Sequence, residues 1–334
     1  MDAPLWTETY SPELDALPQS GVREYLAQVV EEPINLVLYG PPGSGKTAAV
    51  RALARASHED AENDLVEINV ADFFGMTKKE VSQDPRFASF ITPKRRRESS
   101  KADLINHVLK ESASYAPVSG SYKTILLDNA EDIRRDFQQA LRRVMERHHE
   151  TTQFVITTRQ PTKLIPPLKS RCFPVSVRAP TNEETVAVLE RIVEGEDVPH
   201  DDDGLEYVAG YAAGNLRKAI LSAQTTYEAE GEVTMNTAYA VLGEVGIDDE
   251  IRSMLDDAEA GKFTDARKTL DDLLVDEGYS GGEILEDVLR VGRSRYNSRE
   301  LAELSRLVAD VDFEMAEGTS DRIHVSHLLA ELGR

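Results

Sequence analysis

The residues best suited to chemistry form one glycine-rich run, GPPGSGKT, made of Gly40, Pro41, Pro42, Gly43, Ser44, Gly45, Lys46 and Thr47. Glycines at this spacing let successive backbone N–H groups turn toward a phosphate, the lysine neutralises the β and γ oxygens of a nucleotide, and the threonine hydroxyl binds Mg²⁺. An apolar run precedes the loop and a helical pattern follows it, as the motif requires. The sequence therefore predicts a site for ATP and Mg²⁺.

A second candidate lies at the end of another apolar run, TILLDNAED, where Asp128 is placed to hold the same metal ion. Hydrolases of this type usually carry a glutamate immediately afterwards, and it orients and deprotonates the attacking water. Asn129 stands at that position, where an amide can hold a water but cannot accept its proton. Glu131 follows two residues later and is the alternative carboxylate.

A parallel sheet is needed to bring these residues together. Short apolar runs alternate with longer amphipathic segments in the first half of the chain, which indicates βαβ units. We predict an α/β, doubly wound nucleotide-binding domain with strands at residues 35 to 39, 65 to 70, 124 to 128, 153 to 158 and 172 to 177. Beyond residue 178 the patterns are helical, and residues 243 to 248 form a candidate hinge.

The segment from residue 73 to residue 100 is long for a connection in a compact domain, where a few residues are usual. We expect an exposed insertion there. Its KRRR run, at residues 94 to 97, is compatible with contacts to phosphates and equally with a solvated loop.

Composition limits the class of protein. The net charge of -22 ordinarily argues against a nucleic-acid partner. Acid is spread along the chain and arginine outnumbers lysine, a composition typical of adaptation to high salt, where the Debye length is only about 3 Å at 1 M. At such salt concentrations local cationic patches determine which partners bind, so the net charge does not exclude DNA.

The sequence has one cysteine, Cys172, and no apolar run of ~18 residues. We therefore expect a soluble, cytoplasmic protein without disulfides or membrane association.

The order of the motifs resembles a known family. Trp6, Tyr10 and Pro12, then GPPGSGKT, LLDNAED, QQALRRVME, KSRC and GNLRKAI, together resemble the small subunits of replication factor C, the archaeal and eukaryotic sliding-clamp loader, over nearly the whole chain. The resemblance implies an AAA+ P-loop NTPase module with a parallel sheet at residues 1 to 178, a small helical lid at 179 to 245 and an all-α collar at 246 to 334. It implies as partners other large and small subunits, the sliding clamp and primer-template DNA.

The resemblance also implies roles for residues outside the phosphate loop. Arg171 matches the finger that reaches into the ATP site of an adjacent subunit, and Arg217 matches the lid arginine that senses the γ-phosphate. Tyr10 belongs to an N-terminal motif that helps to hold the nucleotide. Family members contact DNA through helices, on which the basic candidates here are Arg142, Arg143 and Arg147.

Three residues depart from the family pattern at the nucleotide site. Ser11 replaces an arginine, Asn129 replaces the catalytic glutamate, and Arg159 stands where a polar residue, usually asparagine, positions water. We therefore expect ATP binding with weak hydrolysis in this chain's own site, and an intact finger for the neighbouring site. Two alternatives stay open: a stand-alone active AAA+ ATPase that uses Glu131 or another acid as its base, and a scaffold subunit that binds no nucleotide.

Overall fold

A computed structural model describes residues 4–83, 91–92, 99–245, 248–276, 279–317 and 320–333. The chain forms two compact units, Met1–Ala238 and Tyr239–Arg334. The KRRR run lies outside the described residues, as does part of the candidate hinge. Within the described part of the chain, no helix has the length and apolar character needed to cross a membrane.

The first unit is built on a five-stranded sheet. Its strands pair in the order β2-β3-β4-β1-β5, and the pairings are parallel. The five predicted strands are confirmed, as β1 (Leu36–Tyr39), β2 (Leu65–Asn69), β3 (Lys123–Asp128), β4 (Thr152–Thr158) and β5 (Phe173–Ser176).

Helices cover both faces of the sheet. Before residue 170 they are α1 (Trp6–Thr9), α2 (Ser20–Glu31), α3 (Lys46–Ser57), α4 (Ala61–Asp64), α5 (Val70–Gly75), α6 (Lys78–Gln83), α7 (Lys101–Ser114), α8 (Arg135–Arg147) and α9 (Pro166–Lys169). Successive side chains of a strand point to opposite faces. Ile125 and Leu127 accordingly join a core with α7 and α8, whereas Leu126 joins a core with α2 and α3. Such two-sided burial explains why the strands read as continuous apolar runs.

The connection at residues 73 to 100, predicted as an exposed insertion, differs in part from that prediction. Residues 70 to 83 form α5 and α6, and the side chains of Phe73, Val81 and Ile91 are buried in the core that also holds α7. They bury apolar surface that a solvated loop would leave in water. The described part of this connection therefore contributes to the core.

Three further helices complete the first unit and carry the region predicted as a lid: α10 (Asn182–Gly195), α11 (Asp202–Ala212) and α12 (Leu216–Glu230). The side chain of Thr181 and that of Glu184 cap the start of α10 reciprocally. Trp6 of α1 is buried, and its ring stacks on Tyr227 of α12 with the centroids 5.9 Å apart. The N-terminal segment is thereby fixed to α12.

The second unit is helical. Helix α13 (Met235–Val245) spans the division between the units, and it is followed by α14 (Asp248–Glu259), α15 (Phe263–Asp271), a π-helical turn (Asp272–Asp276), α16 (Gly281–Arg295), α17 (Ser298–Glu317) and α18 (Asp321–Leu332). The apolar faces of α14 to α18 form one core, which includes Ile251, Leu255, Leu270, Val288, Val311 and Leu328. The helical patterns read in this part of the sequence are confirmed.

Candidate functional site: a nucleotide cavity in the first unit

The phosphate loop, residues 40 to 47, joins the end of β1 to the start of α3. Gly43 and Gly45 have φ angles of 69° and 92°, in the left-handed region that favours glycine. A Cβ on Gly40 would lie 1.9 Å from the carbonyl oxygen of Val177, so a side chain there would displace the backbone. Glycine at these positions therefore lets the loop take this shape at the N-terminus of α3, where helix geometry favours an anion.

Lys46 is buried, and its ammonium group is held by the loop itself. The Nζ atom donates to the carbonyl oxygen of Gly40 at 3.0 Å and to that of Pro41 at 2.6 Å. Burial lowers the pKa of Lys46, while the carboxylates of Glu131 and Asp128 act in the opposite direction. These hydrogen-bond partners are neutral, so the positive charge of Lys46 remains available to bind phosphate oxygens.

Thr47 and Asp128 meet at the carboxyl end of β3. The Thr47 hydroxyl lies 3.0 Å from each carboxylate oxygen of Asp128, and the hydroxyl of Thr157 also donates to that carboxylate. Hydroxyl and carboxylate oxygens are the hard ligands that Mg²⁺ prefers, usually together with waters and substrate phosphates. These residues therefore fit the predicted metal ion, which Thr47 and Asp128 would hold.

Asn129 has an unusual backbone conformation, with φ 54° and ψ 53°. Asparagine tolerates this left-handed region better than most residues. Its N–H donates to the Thr157 hydroxyl at 3.2 Å, while its side chain is exposed and lines a cavity. The amide thus occupies the position after the metal-binding aspartate without supplying a proton acceptor.

Glu131 is buried and paired with Arg159. The exposed fraction of Glu131 is 5%, and its Oε1 accepts from Nε of Arg159 at 2.5 Å. Burial by itself raises the pKa of Glu131, but the hydrogen bond from the Arg159 guanidinium, the nearby backbone N–H groups of Glu131 and Arg159, and the charge of Arg159 outweigh it and hold the pKa below its ordinary value. Glu131 is therefore an ionised, weakly basic carboxylate in this arrangement.

A cavity of about 590 Å³ lies over these groups. It is lined by most of the predicted nucleotide-binding residues, namely Tyr10, Pro42, Gly43, Gly45, Lys46, Thr47, Asp128 and Arg217. Gly40, Pro41 and Ser44 belong to the same loop but are not in the lining. Apolar side chains from the N-terminal segment and the lid, Leu17, Val188, Leu216 and Ile220, close another wall. The cavity thus combines a phosphate-binding end with an apolar wall suited to a nucleobase.

The cavity is cationic although the chain as a whole is acidic. The described residues of its lining include four cations, Lys46, Arg51, Arg159 and Arg217, and one carboxylate, Asp128. Arg51 was not predicted from the sequence; it lies one helical turn after Thr47 and binds Glu67 through two hydrogen bonds of 2.7 Å. Its spacing of four residues from Thr47 on α3 was a signal that would have placed it on the same helix face.

The start of α12 touches the phosphate loop directly. The N–H of Leu216 donates to the carbonyl oxygen of Gly43 at 2.9 Å. Asn215 caps α12 by accepting from the N–H of Lys218, and a Cβ on Gly43 would lie 1.8 Å from the side-chain oxygen of Asn215. The start of α12, which carries Arg217, is therefore fixed against the loop.

Arg171 lies elsewhere on the first unit and is not among the residues that line the cavity. It follows α9, where its guanidinium donates to the carbonyl oxygen of Pro167 at 2.8 Å and to the carboxylate of Glu146 on α8. Its side chain retains 35% exposure. Arg171 is thus a surface arginine held by neighbours within its own chain.

Two family models match the sequence. The model of the ATPase family associated with various cellular activities, AAA, matches residues 36–180, and that of the replication factor C C-terminal domain matches residues 248–331. Among solved structures, the Holliday junction branch migration motor RuvB of Thermotoga maritima is similar, with a TM-score of 0.53 and 16% identity over 83% of this chain and 85% of that one. The AAA+ fold with a C-terminal helical domain, predicted from the sequence, is confirmed.

Curated relatives match the chain nearly from end to end. A protein named replication factor C small subunit from Methanococcus maripaludis is 30% identical over 98% of each chain. Proteins of that name from Sulfolobus acidocaldarius and Halobacterium salinarum are 33% and 29% identical, each over 98% of this chain and 95% of the relative. The chain therefore belongs to the replication factor C small-subunit family.

Proposed function

We propose that this chain is a clamp-loader small subunit that binds ATP and Mg²⁺ in the cavity of its first unit. With other large and small subunits, it would help to load the sliding clamp onto primer-template DNA during replication. Family membership supports the assembly and the partners, and the cationic cavity around Lys46 and Arg217 supports ATP binding. In this proposal residues 1 to 178 are the AAA+ core, 179 to 245 the lid and 246 to 334 the collar.

We further propose that the chain hydrolyses its own ATP poorly. The observation that carries this is the placement of the two candidate bases: the Asn129 amide lines the cavity, whereas the Glu131 carboxylate is buried against Arg159. A general base must accept a proton from water, and its efficiency falls when its pKa lies far below the working pH. Neither side chain meets that requirement in the observed arrangement.

Arg171 is proposed as a finger for the ATP site of an adjacent subunit. It is a partly exposed cation remote from its own cavity lining, and a guanidinium aimed at a γ-phosphate stabilises the charge that develops there. In the single chain its contact with Glu146 is a surface ion pair, which is worth at most about 1 kcal/mol. Such a pair opposes transfer of the guanidinium to a phosphate only weakly.

DNA contact is proposed for the exposed side of α8. Arg143 and Arg147 are exposed on this helix, whereas Arg142 is half-buried and pairs with Glu146 at 3.4 Å. Cations along one helix suit the phosphates of a nucleic-acid backbone. We therefore assign the DNA-facing role to Arg143 and Arg147 before Arg142.

The proposal is tested in the assembled complex by comparing two substitutions. We expect Arg171→Ala to lower ATP turnover of the assembled complex more than Lys46→Ala does, because loss of the finger lowers turnover ~10³-fold at the site that it serves. Lys169→Ala removes an exposed cation two residues from Arg171 and is the matched control. The reverse order of the two effects would refute the trans role. For the isolated chain we expect ATP binding by calorimetry with very slow turnover.

A further inference from the structure

The pair of Glu131 and Arg159 is not explained by nucleotide binding alone. Glu131 Oε1 receives the 2.5 Å hydrogen bond from Arg159, but its Oε2 is buried and has no hydrogen-bond partner in the described part of the chain. A buried charged oxygen left without a donor is costly, and such exceptions to hydrogen-bond satisfaction are often found where a group is kept for chemistry. Arg159, in contrast, keeps 56% of its side chain exposed and lines the cavity.

The carboxylate is close to the groups that would meet the triphosphate. Of the charged groups acting on Lys46, Glu131 has the largest effect on its pKa, ahead of Asp128, Arg159 and Arg217. Lys46 is the residue that contacts β and γ oxygens in a phosphate loop. Glu131 itself is not among the residues that line the cavity, but its partner Arg159 is, so the pair lies at the cavity wall with the carboxylate on the buried side.

We propose that Glu131 is the reserve general base of this ATP site and that Arg159 is a positioning residue that restrains it. The inference rests on the proposed function, because it requires ATP in the cavity. In the hydrolytic step, the oxygen of a water bonds to the γ phosphorus and the bond from that phosphorus to the β–γ bridging oxygen breaks. The water's proton passes to Glu131, and the leaving ADP keeps the electron pair of the broken bond.

Arg159 restrains this step in two ways. Its hydrogen bond occupies Oε1 and fixes the carboxylate in its buried position. Its charge also stabilises the ionised form of Glu131, so that the carboxylate holds a proton less readily. Lys46, on whose pKa Glu131 acts, would remain in place after substitution of Arg159.

The test compares Arg159→Asn with Arg159→Lys in the full chain. Asparagine removes the charge, and we expect turnover of bound ATP in single-turnover assays to rise about 10²-fold, the low end of what a general base contributes. Lysine keeps a cation beside Glu131 and is expected to keep turnover low. Lys163→Asn removes an exposed cation of the following turn and should change nothing. The double substitution Arg159→Asn with Glu131→Gln should return turnover to the wild-type level.

Two further readouts separate restraint from a merely structural role. In Arg159→Asn the hydrogen bond and the charge of the guanidinium no longer lower the pKa of Glu131, so the acid limb of the pH–rate profile should move to higher pH and should disappear in the double variant. Without nucleotide, the difference in the free energy of unfolding between the wild type and Arg159→Asn should shrink as pH falls through the lowered pKa of Glu131 in the wild type.

The outcomes distinguish this inference from the proposed function. If Arg159→Asn binds ATP but turns over more slowly than the wild type, Arg159 serves the phosphate and the inference is wrong. It is equally wrong if turnover is unchanged, or if the double variant is as fast as Arg159→Asn. If the wild-type chain shows no ATP binding by calorimetry, the proposed function falls, and the inference falls with it.

Discussion

The substitution Asn129→Glu tests whether a missing proton acceptor limits hydrolysis in this site. Asn129 lies directly after Asp128, its side chain is exposed, and it lines the cavity. A carboxylate introduced there would be able to accept the proton of an attacking water, which the amide cannot do. We therefore expect Asn129→Glu to bind ATP like the wild type and to hydrolyse it faster.

The size of the effect follows from two opposing terms. General bases contribute ~10²- to 10⁴-fold to turnover. Arg159 lines the same cavity and would lower the basicity of a new carboxylate, so we expect the low end, about 10²-fold. The backbone at Asn129 is left-handed, with φ 54°, where glutamate is less favourable than asparagine. A cost of about 1 kcal/mol is expected, which lowers Tm by roughly 2 to 4 °C for a unit of this size.

The assay is phosphate release at saturating ATP and Mg²⁺, with ATP affinity measured separately by calorimetry. Asn129→Gln is the matched control, because glutamine has the length of glutamate and the same backbone cost but accepts no proton. The ratio of turnover between the Glu and Gln variants isolates the base. Equal turnover in these two variants, with ATP affinity retained, would refute the reasoning and would place the limitation elsewhere, for example at Arg159.

Two other predictions concern the architecture around the site. Gly43→Ala should weaken ATP binding at least tenfold in calorimetry and lower stability by about 2 kcal/mol, because its Cβ would strike Asn215 and its φ is 69°; Gly21→Ala, which has open space around it, is the control that should leave affinity unchanged. Asp64 is buried and accepts from the N–H groups of Val118 and Ser119 at 2.6 and 2.8 Å. Burial raises its pKa, but these hydrogen bonds and that of the Ser119 hydroxyl outweigh it and lower the pKa. The contribution of Asp64 to the free energy of unfolding is therefore present above the unfolded pKa of about 3.9, and it is lost as pH falls through the pKa of Asp64 in the folded protein. Asp64→Asn should lower the free energy of unfolding by about 2 kcal/mol at pH 7, and urea titrations should show the gap closing as pH falls below the unfolded pKa of about 3.9; a constant gap would contradict this.

The sequence predicted those parts of the site that depend on local pattern. The phosphate loop and Asp128 each follow a buried strand, and the spacing of their residues is set by the strand-to-helix geometry around them. Sheet strands buried on both faces are recognisable as apolar runs, and all five were found. Burial of Phe73, Val81 and Ile91 was missed, because these residues are widely spaced and show no continuous helical or strand period.

Local sequence patterns do not predict contacts between residues that are far apart in the chain. Glu131 follows β3 and Arg159 follows β4, and no motif in the sequence predicts the 2.5 Å ion pair between them. Gln19 is buried and donates to the carbonyl oxygens of Ser44 and Arg178, which links α2 to the phosphate loop and to the chain leading into the lid. These contacts depend on how strands and helices pack, which is fixed by the whole core and not by neighbouring residues.

The placement of the three departures from the family pattern gives them unequal weight. Tyr10 and Pro12 line the cavity, whereas Ser11 between them does not, and the guanidinium of Arg55 donates to the carbonyl oxygen of Pro12. The N-terminal segment is thus held by contacts that do not need an arginine at residue 11. Asn129 and Arg159 both line the cavity. We therefore expect the departures to lower the rate of hydrolysis more than the affinity for ATP. Substitutions at residues 129, 131 and 159 should then change turnover while ATP affinity stays close to that of the wild type.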